Sequence, residues 1–171
     1  AHYGEIHGVI GPNGAGKTTL LDVITGNTRP KKGTVRLDGC IDLLLLDETQ
    51  IALKGVGRKF QKPSVFEALT VCENLEIAIR LRPKSIFSEL NSWDDFERSN
   101  RVEKVLDEIG LTTDKHTPAA TLAHGKKQWL EIGMLLMQQP KLLMLDEPVA
   151  GMTEEETSKT AALVRNLRSP E

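Results

Sequence analysis

Apolar positions along the chain follow two periods. Short Val, Ile and Leu runs bounded by Gly or Pro alternate with stretches in which apolar residues return every three or four positions. Glu5 to Ile10, "EIHGVI", reads as a short β-rich run, and "KTTLLDVITG" as a helix closed by Gly26 just past its end. "GTVRLDG", from Gly33 to Gly39, is a strand ending in an Asp-Gly turn. Leu46, Ile51, Leu53 and Gly55 then outline a short helix for which Asp47 is an N-cap. Thr70 and Glu73 form the capping box of a helix running to Leu81. Val102, Val105, Leu106 and Ile109 fall at i, i+3, i+4 and i+7, one face of a further helix. "LAHGKKQWLEIGMLLMQQP" is a glycine-containing loop feeding a long apolar helix, and Leu142 to Leu145 suit a central parallel strand. The most loop-like connection, Pro83 to Trp93, reads as a variable insertion.

Composition narrows the picture little but usefully. With 22 basic against 24 acidic residues, bulk charge points to no polyanionic partner. An apolar content of 39% over 171 residues is enough for one packed domain. Cys40 and Cys72 stand far apart without metal-ligand spacing, as expected of reduced thiols in a cytosolic protein. No apolar run approaches the ~20 residues that span a bilayer. The missing initial Met and the abrupt ends are read as truncation on both sides.

Chemistry enters at Gly11-Pro-Asn-Gly-Ala-Gly-Lys-Thr18, a full match to G-x-x-x-x-G-K-[ST] between a strand and a helix. Gly11, Gly14 and Gly16 let the backbone curl so that successive N–H groups face an anion, and the following helix adds its positive end. Lys17 supplies a point charge to the β- and γ-phosphates, and the Thr18 hydroxyl suits Mg²⁺. These residue types predict a nucleoside triphosphate site.

Such a site needs a second strand that delivers an acid, and two runs qualify: "LLLLDE", ending in Asp47-Glu48, and "LLMLDEP", ending in Asp146-Glu147. The first follows a hairpin signal and precedes a short helix, which suits a peripheral position. The second follows "QQP" and is a continuous apolar run stopped by Pro148, so its carboxyl end is where ligands gather in parallel sheets. Asp146 is assigned to the metal and Glu147 to the attacking water.

The order of these motifs resembles the ATPase subunit of an ABC transporter over nearly all of the chain. "GPNGAGKTT", from Gly11 through Pro12, Asn13, Ala15 and Thr18 to Thr19, looks like the family's Walker A, and "LLMLDEP" like its Walker B. Gln61 looks like the Q-loop glutamine, and "LAHGKKQWLEIG" like the signature loop and its helix. "GRKFQKPSVFE", "KQWLEIGMLL" and "DEPVAGMT" are most similar to urea and branched-chain amino acid importer ATPases, urea first. The resemblance implies an α/β fold with a P-loop core (1–67 and 126–171), a small antiparallel β portion and an inserted α-helical subdomain (68–125). It implies ATP and Mg²⁺ as ligands, with Lys17, Gln61 and Glu147 catalytic and Thr18, Gln61 and Asp146 around the metal. Leu122, Ala123, His124, Gly125 and Lys126 would contact the ATP of a second ATPase subunit. That dimer would drive permease subunits from the cytoplasmic face of the plasma membrane, without nucleic acid.

Departures from the family pattern are local. Ala123 replaces the signature Ser, whose bond to the γ-phosphate is worth about 1.5–3 kcal/mol, and Lys126 either compensates with its charge or is solvated. Thr153 stands where the family usually has Asp, and with Glu156 forms a capping box. No His follows His124, so the family's switch histidine falls beyond this chain, as does the base-stacking aromatic, Tyr3 being too near the P-loop. Competing readings are a soluble, non-transport ABC ATPase and a nucleotide-binding regulatory subunit with weak turnover.

Overall fold

The computed structural model describes residues 1–59, 64–80 and 95–167. Helix α1 (Lys17–Thr25) begins directly after the phosphate loop and ends where Gly26 turns left-handed at φ 86°. Glycine is needed there twice over, because a Cβ at Gly26 would also stand 2.9 Å from Ile51 Cδ1. A short hairpin follows, β1 (Arg36–Leu37) against β2 (Ile41–Asp42), with Asp38 and Gly39 both at positive φ as the Asp-Gly turn predicts. Its second strand lies just past residue 40.

The first apolar run is not a strand. Leu43–Leu45 make a 3-10 turn, and Asp47 caps α2 (Glu48–Leu53). Asp47 Oδ1 accepts from Gln50 N–H at 2.7 Å, and Gln50 Oε1 from Asp47 N–H at 3.0 Å. Strand β3 (Val56–Lys59) then pairs in parallel with β4 (Leu142–Leu145), Val56 opposite Leu142 and Lys59 opposite Leu145. The described part of the connection between these two neighbours is a crossover built mainly of helices.

That crossover carries the larger core. Helices α3 (Val71–Arg80), α4 (Asp95–Glu108) and α5 (His124–Met137) meet on Val71, Leu75, Val105, Leu106, Leu130 and Ile132, all fully buried. Gly133 permits the approach, since a Cβ there would be 2.7 Å from Ile109 Cδ1 and 3.1 Å from Leu75 Cδ2. The Thr70–Glu73 capping box forms as read from the sequence. Buried Asn74 ties down the approach to α3, accepting from Phe66 N–H and donating to the Phe66 and Thr70 carbonyls. Leu81 and the Pro83–Trp93 connection lie outside the described residues. Helix α6 (Glu154–Asn166) starts at Thr153, whose capping box with Glu156 is present, and leans on α5 through Trp129 Nε1–H donating to Thr160 Oγ1 at 2.9 Å.

Glu5–Ile10 departs from expectation. It forms no ladder in the described residues, and Ile10 is 97% exposed. A β-rich run becomes a strand only when a neighbour satisfies its N–H and C=O groups, and none of the described strands lies alongside it. The smaller core, Leu43, Ile51, Val56 and Met144, sits instead beneath α1 and α2.

Candidate functional site

The phosphate loop has the backbone its glycines predict. Gly14 and Gly16 lie at φ 81° and 90°, where a side-chain-bearing residue costs roughly 1–2 kcal/mol. Ala15 N–H closes the loop on the Pro12 carbonyl at 3.2 Å, and Leu20 N–H bonds the Gly16 carbonyl at 2.9 Å as α1 starts. Pro12, Asn13, Thr18 and Thr19 are exposed, and Gly11 and Lys17 half-buried. Lys17 Nζ donates to the carbonyls of Gly11 at 2.7 Å and Pro12 at 3.0 Å, so the ammonium lies across the loop mouth. Helix α1 has no side-chain cap and no acid in its first turn. Its positive end is therefore unopposed by local charge, the arrangement that suits an anion.

The two acid pairs part as the sequence indicates. Asp47 and Glu48 belong to the start of α2. Asp146 is buried at the end of β4, where Arg58 Nη2 donates to its Oδ2 at 3.2 Å. Glu147 is exposed, and its φ of 48° is left-handed without being glycine. Holding a glutamate there costs of order 1–3 kcal/mol, strain that gathers at functional turns. Ala150 N–H to the Glu147 carbonyl at 3.1 Å and Met152 N–H to Val149 at 3.2 Å brace the turn. Gln61 lies outside the described residues.

The signature segment divides by burial. Leu122 joins the helical core, and Gly125 is packed against the Glu156 carboxylate with no space for a Cβ. Ala123 and His124 are exposed. Lys126, half-buried, is engaged within the chain: its Nζ donates to both oxygens of Asp114, at 2.9 and 2.7 Å. Gln128, absent from the sequence reading, links this segment to the turn after Glu147. Its amide Nε2 donates to the Ala150 carbonyl at 3.2 Å and lies 2.7 Å from His124 Nε2.

Sequence reasoning also missed the charges at the end of β3. Arg58 reaches Asp22 of α1 at 2.6 Å as well as Asp146. Lys59, 1% exposed, lies 3.3 Å from Glu131 Oε2 of α5, and Glu131 Oε1 accepts from Ser64 N–H and Oγ–H. Two adjacent cations in a short strand were the available signal. Buried cations demand carboxylate partners, but the sequence does not say which.

A phosphate loop opening a helix, with an acid pair at the end of a parallel strand and a helical crossover between, defines a P-loop nucleotide-binding domain. The ABC transporter family profile matches residues 1–150, so the chain belongs to that family and is its ATPase domain. The branched-chain amino acid transport ATP-binding protein BraF of Pseudomonas aeruginosa is 40% identical over 171 residues, covering 96% of this chain and 67% of BraF. LivG of Escherichia coli K12, named for the same transport, has the same identity and coverage. Among solved structures, the ATP-binding cassette MJ1267 superposes with a TM-score of 0.79 at 30% identity, over 98% of this chain and 68% of that one. Its ADP conformation gives a TM-score of 0.74 at 31% identity, over 93% and 64% respectively.

Proposed function

We propose that this domain is the ATP-hydrolysing motor of an importer for a small organic solute, a branched-chain amino acid or urea. What carries the reading is the joining of two motifs that are far apart in sequence: α1, which opens at the phosphate loop, and the Asp146–Glu147 turn are held together through Arg58. The relatives' names support a branched-chain amino acid; urea rests on the resemblance of "GRKFQKPSVFE", "KQWLEIGMLL" and "DEPVAGMT" to urea and branched-chain amino acid importer ATPases taken together.

In this reading the loop N–H groups and the α1 N-terminus bind the β- and γ-phosphates. Lys17 exchanges the Gly11 and Pro12 carbonyls for phosphate oxygens. The Thr18 hydroxyl and Asp146 carboxylate are hard oxygen donors of the kind Mg²⁺ prefers, and Gln61 is assigned beside them. Bound Mg²⁺ would supply charge neutralisation at the transferring phosphoryl group. Glu147, at the solvent-facing turn, orients water and takes its proton. Ala123 and His124 form the accessible part of the surface offered to a second ATPase subunit. Permease subunits would hold the pair at the inner face of the plasma membrane; among the described residues no helix is long and apolar enough to cross a membrane.

The test is Mg²⁺-ATP hydrolysis by the chain beside Glu147→Gln and Glu48→Gln. Loss of turnover with retained ATP binding in Glu147→Gln alone supports the motor. Binding without turnover in the unsubstituted chain, even with its permease, overturns it in favour of a regulatory subunit. That outcome would fit Lys126 being held by Asp114 rather than offered to phosphate.

A further inference from the structure

Where α1, β3 and β4 meet, one guanidinium serves two carboxylates. Arg58, its side chain 6% exposed, donates from Nη1 to Asp22 Oδ1 at 2.6 Å and from Nη2 to Asp146 Oδ2 at 3.2 Å. Nη1 also reaches Thr25 Oγ1 at 3.4 Å, one turn further along α1. Charge-assisted N–H···O bonds usually measure about 2.7–2.9 Å, so the bond to Asp22 is tight and that to Asp146 is stretched. Asp146 is engaged through Oδ2; Oδ1 takes no hydrogen bond among the described residues.

We infer that Asp22 is a positioning residue for the cation site at Asp146, acting through Arg58. The inference rests on reading Asp146 as a metal ligand. A guanidinium fork matches a carboxylate edge and closes on it bidentately when nothing restrains it. A closed Arg58–Asp146 pair would occupy both oxygens and cancel the charge, so a divalent cation would have to displace the arginine from a buried site. Asp22 prevents this by holding the fork from the α1 side. Two carboxylates against one guanidinium leave the trio with net negative charge, and Asp146 Oδ1 remains available to a cation or its water. Because α1 begins at Lys17, the same strut sets the phosphate loop against the end of β4.

Mn²⁺ titrated into the ADP-bound full chain, followed by loss of the free-ion EPR signal, reads cation affinity without turnover. Asp22→Asn is expected to weaken Mn²⁺ binding by about 10-fold or more, the scale of changes behind a metal ligand, with ADP binding in EDTA unchanged. Asp22→Asn combined with Arg58→Met removes the competitor too and regains most of the lost affinity. A strut that merely joined α1 to β3 would leave the double variant at least as impaired as the single one. Folded Asp22→Asn that binds Mn²⁺ as tightly as the unsubstituted chain overturns the inference. If Asp22→Asn does not fold, Arg58→Met alone decides: it must bind Mn²⁺ at least as tightly as the unsubstituted chain, and weaker binding overturns the inference. Failure of the unsubstituted chain to bind Mn²⁺ would remove the metal-ligand reading itself.

Discussion

Replacing Glu131 with Gln changes one charge inside the molecule at nearly constant volume. Glu131 and Lys59 are 3% and 1% exposed, and Glu131 Oε2 lies 3.3 Å from Lys59 Nζ. The amide can still accept from Ser64, so the lost quantity is chiefly the counter-charge of a buried ammonium. Breaking a buried ion pair from one side costs about 3–5 kcal/mol. Against a typical domain stability of about 5–15 kcal/mol, that is a large fraction. For a chain of this size, about 2–4 °C per kcal/mol turns it into a fall in Tm of roughly 6–20 °C. Urea unfolding followed by far-UV circular dichroism should show a lower midpoint at unchanged slope. Lys59→Met with Glu131→Leu removes both charges and should be more stable than either single variant, because paired desolvation disappears with the pair. A Glu131→Gln loss below about 1 kcal/mol, the range of exposed pairs, with a double variant worse than both singles, would refute the reasoning.

Other expectations follow from single contacts. Glu147→Gly should relieve the left-handed strain and raise stability by about 1 kcal/mol while abolishing turnover, measured by thermal melting beside ATPase rate. Lys17→Ala should weaken ATP binding in a filter assay with little change in Tm, since its bonds to Gly11 and Pro12 lie at a solvent-open loop. Gly133→Ala forces a methyl against Ile109 and Leu75 and should cost about 1–3 kcal/mol in denaturant titration. Burial, with Glu76 beside it, pushes the Cys72 thiol up to about 11. Iodoacetamide at about pH 8 should therefore label exposed Cys40 well before Cys72, whose rate climbs only as pH nears its raised value; equal rates would contradict this.

Much of the local architecture was legible because its causes span few residues. The capping boxes at Thr70–Glu73 and Thr153–Glu156, the N-cap at Asp47 and the turn at Asp38-Gly39 each depend on neighbours within three positions, and each forms as read. The helical face of Val102, Val105, Leu106 and Ile109 is buried because its period matches the helix. The phosphate loop likewise carries its conformation in its own glycines. The structural contrast between the two acid pairs was also local: the Asp47 run leads into a capped helix, and the Asp146 pair follows a strand and precedes Pro148.

Tertiary structure decided the rest, because the partners lie far apart in sequence. Arg58 finds Asp22 across 36 residues and Asp146 across 88, and Ser64 finds Glu131 across 67. Nothing in a strand of four residues reveals which carboxylates will neutralise its cations. The sequence left Lys126 either compensating with its charge or solvated, and only the fold shows it held by Asp114. Glu5–Ile10 has the composition of a strand but forms none, since a ladder is the property of two segments and not of one. Sequence alone therefore determined the nucleotide loop, the caps and the helical faces, whose energies are local. Only the fold determined which buried charges meet, and with them how the phosphate loop is tied to the acid at the end of β4.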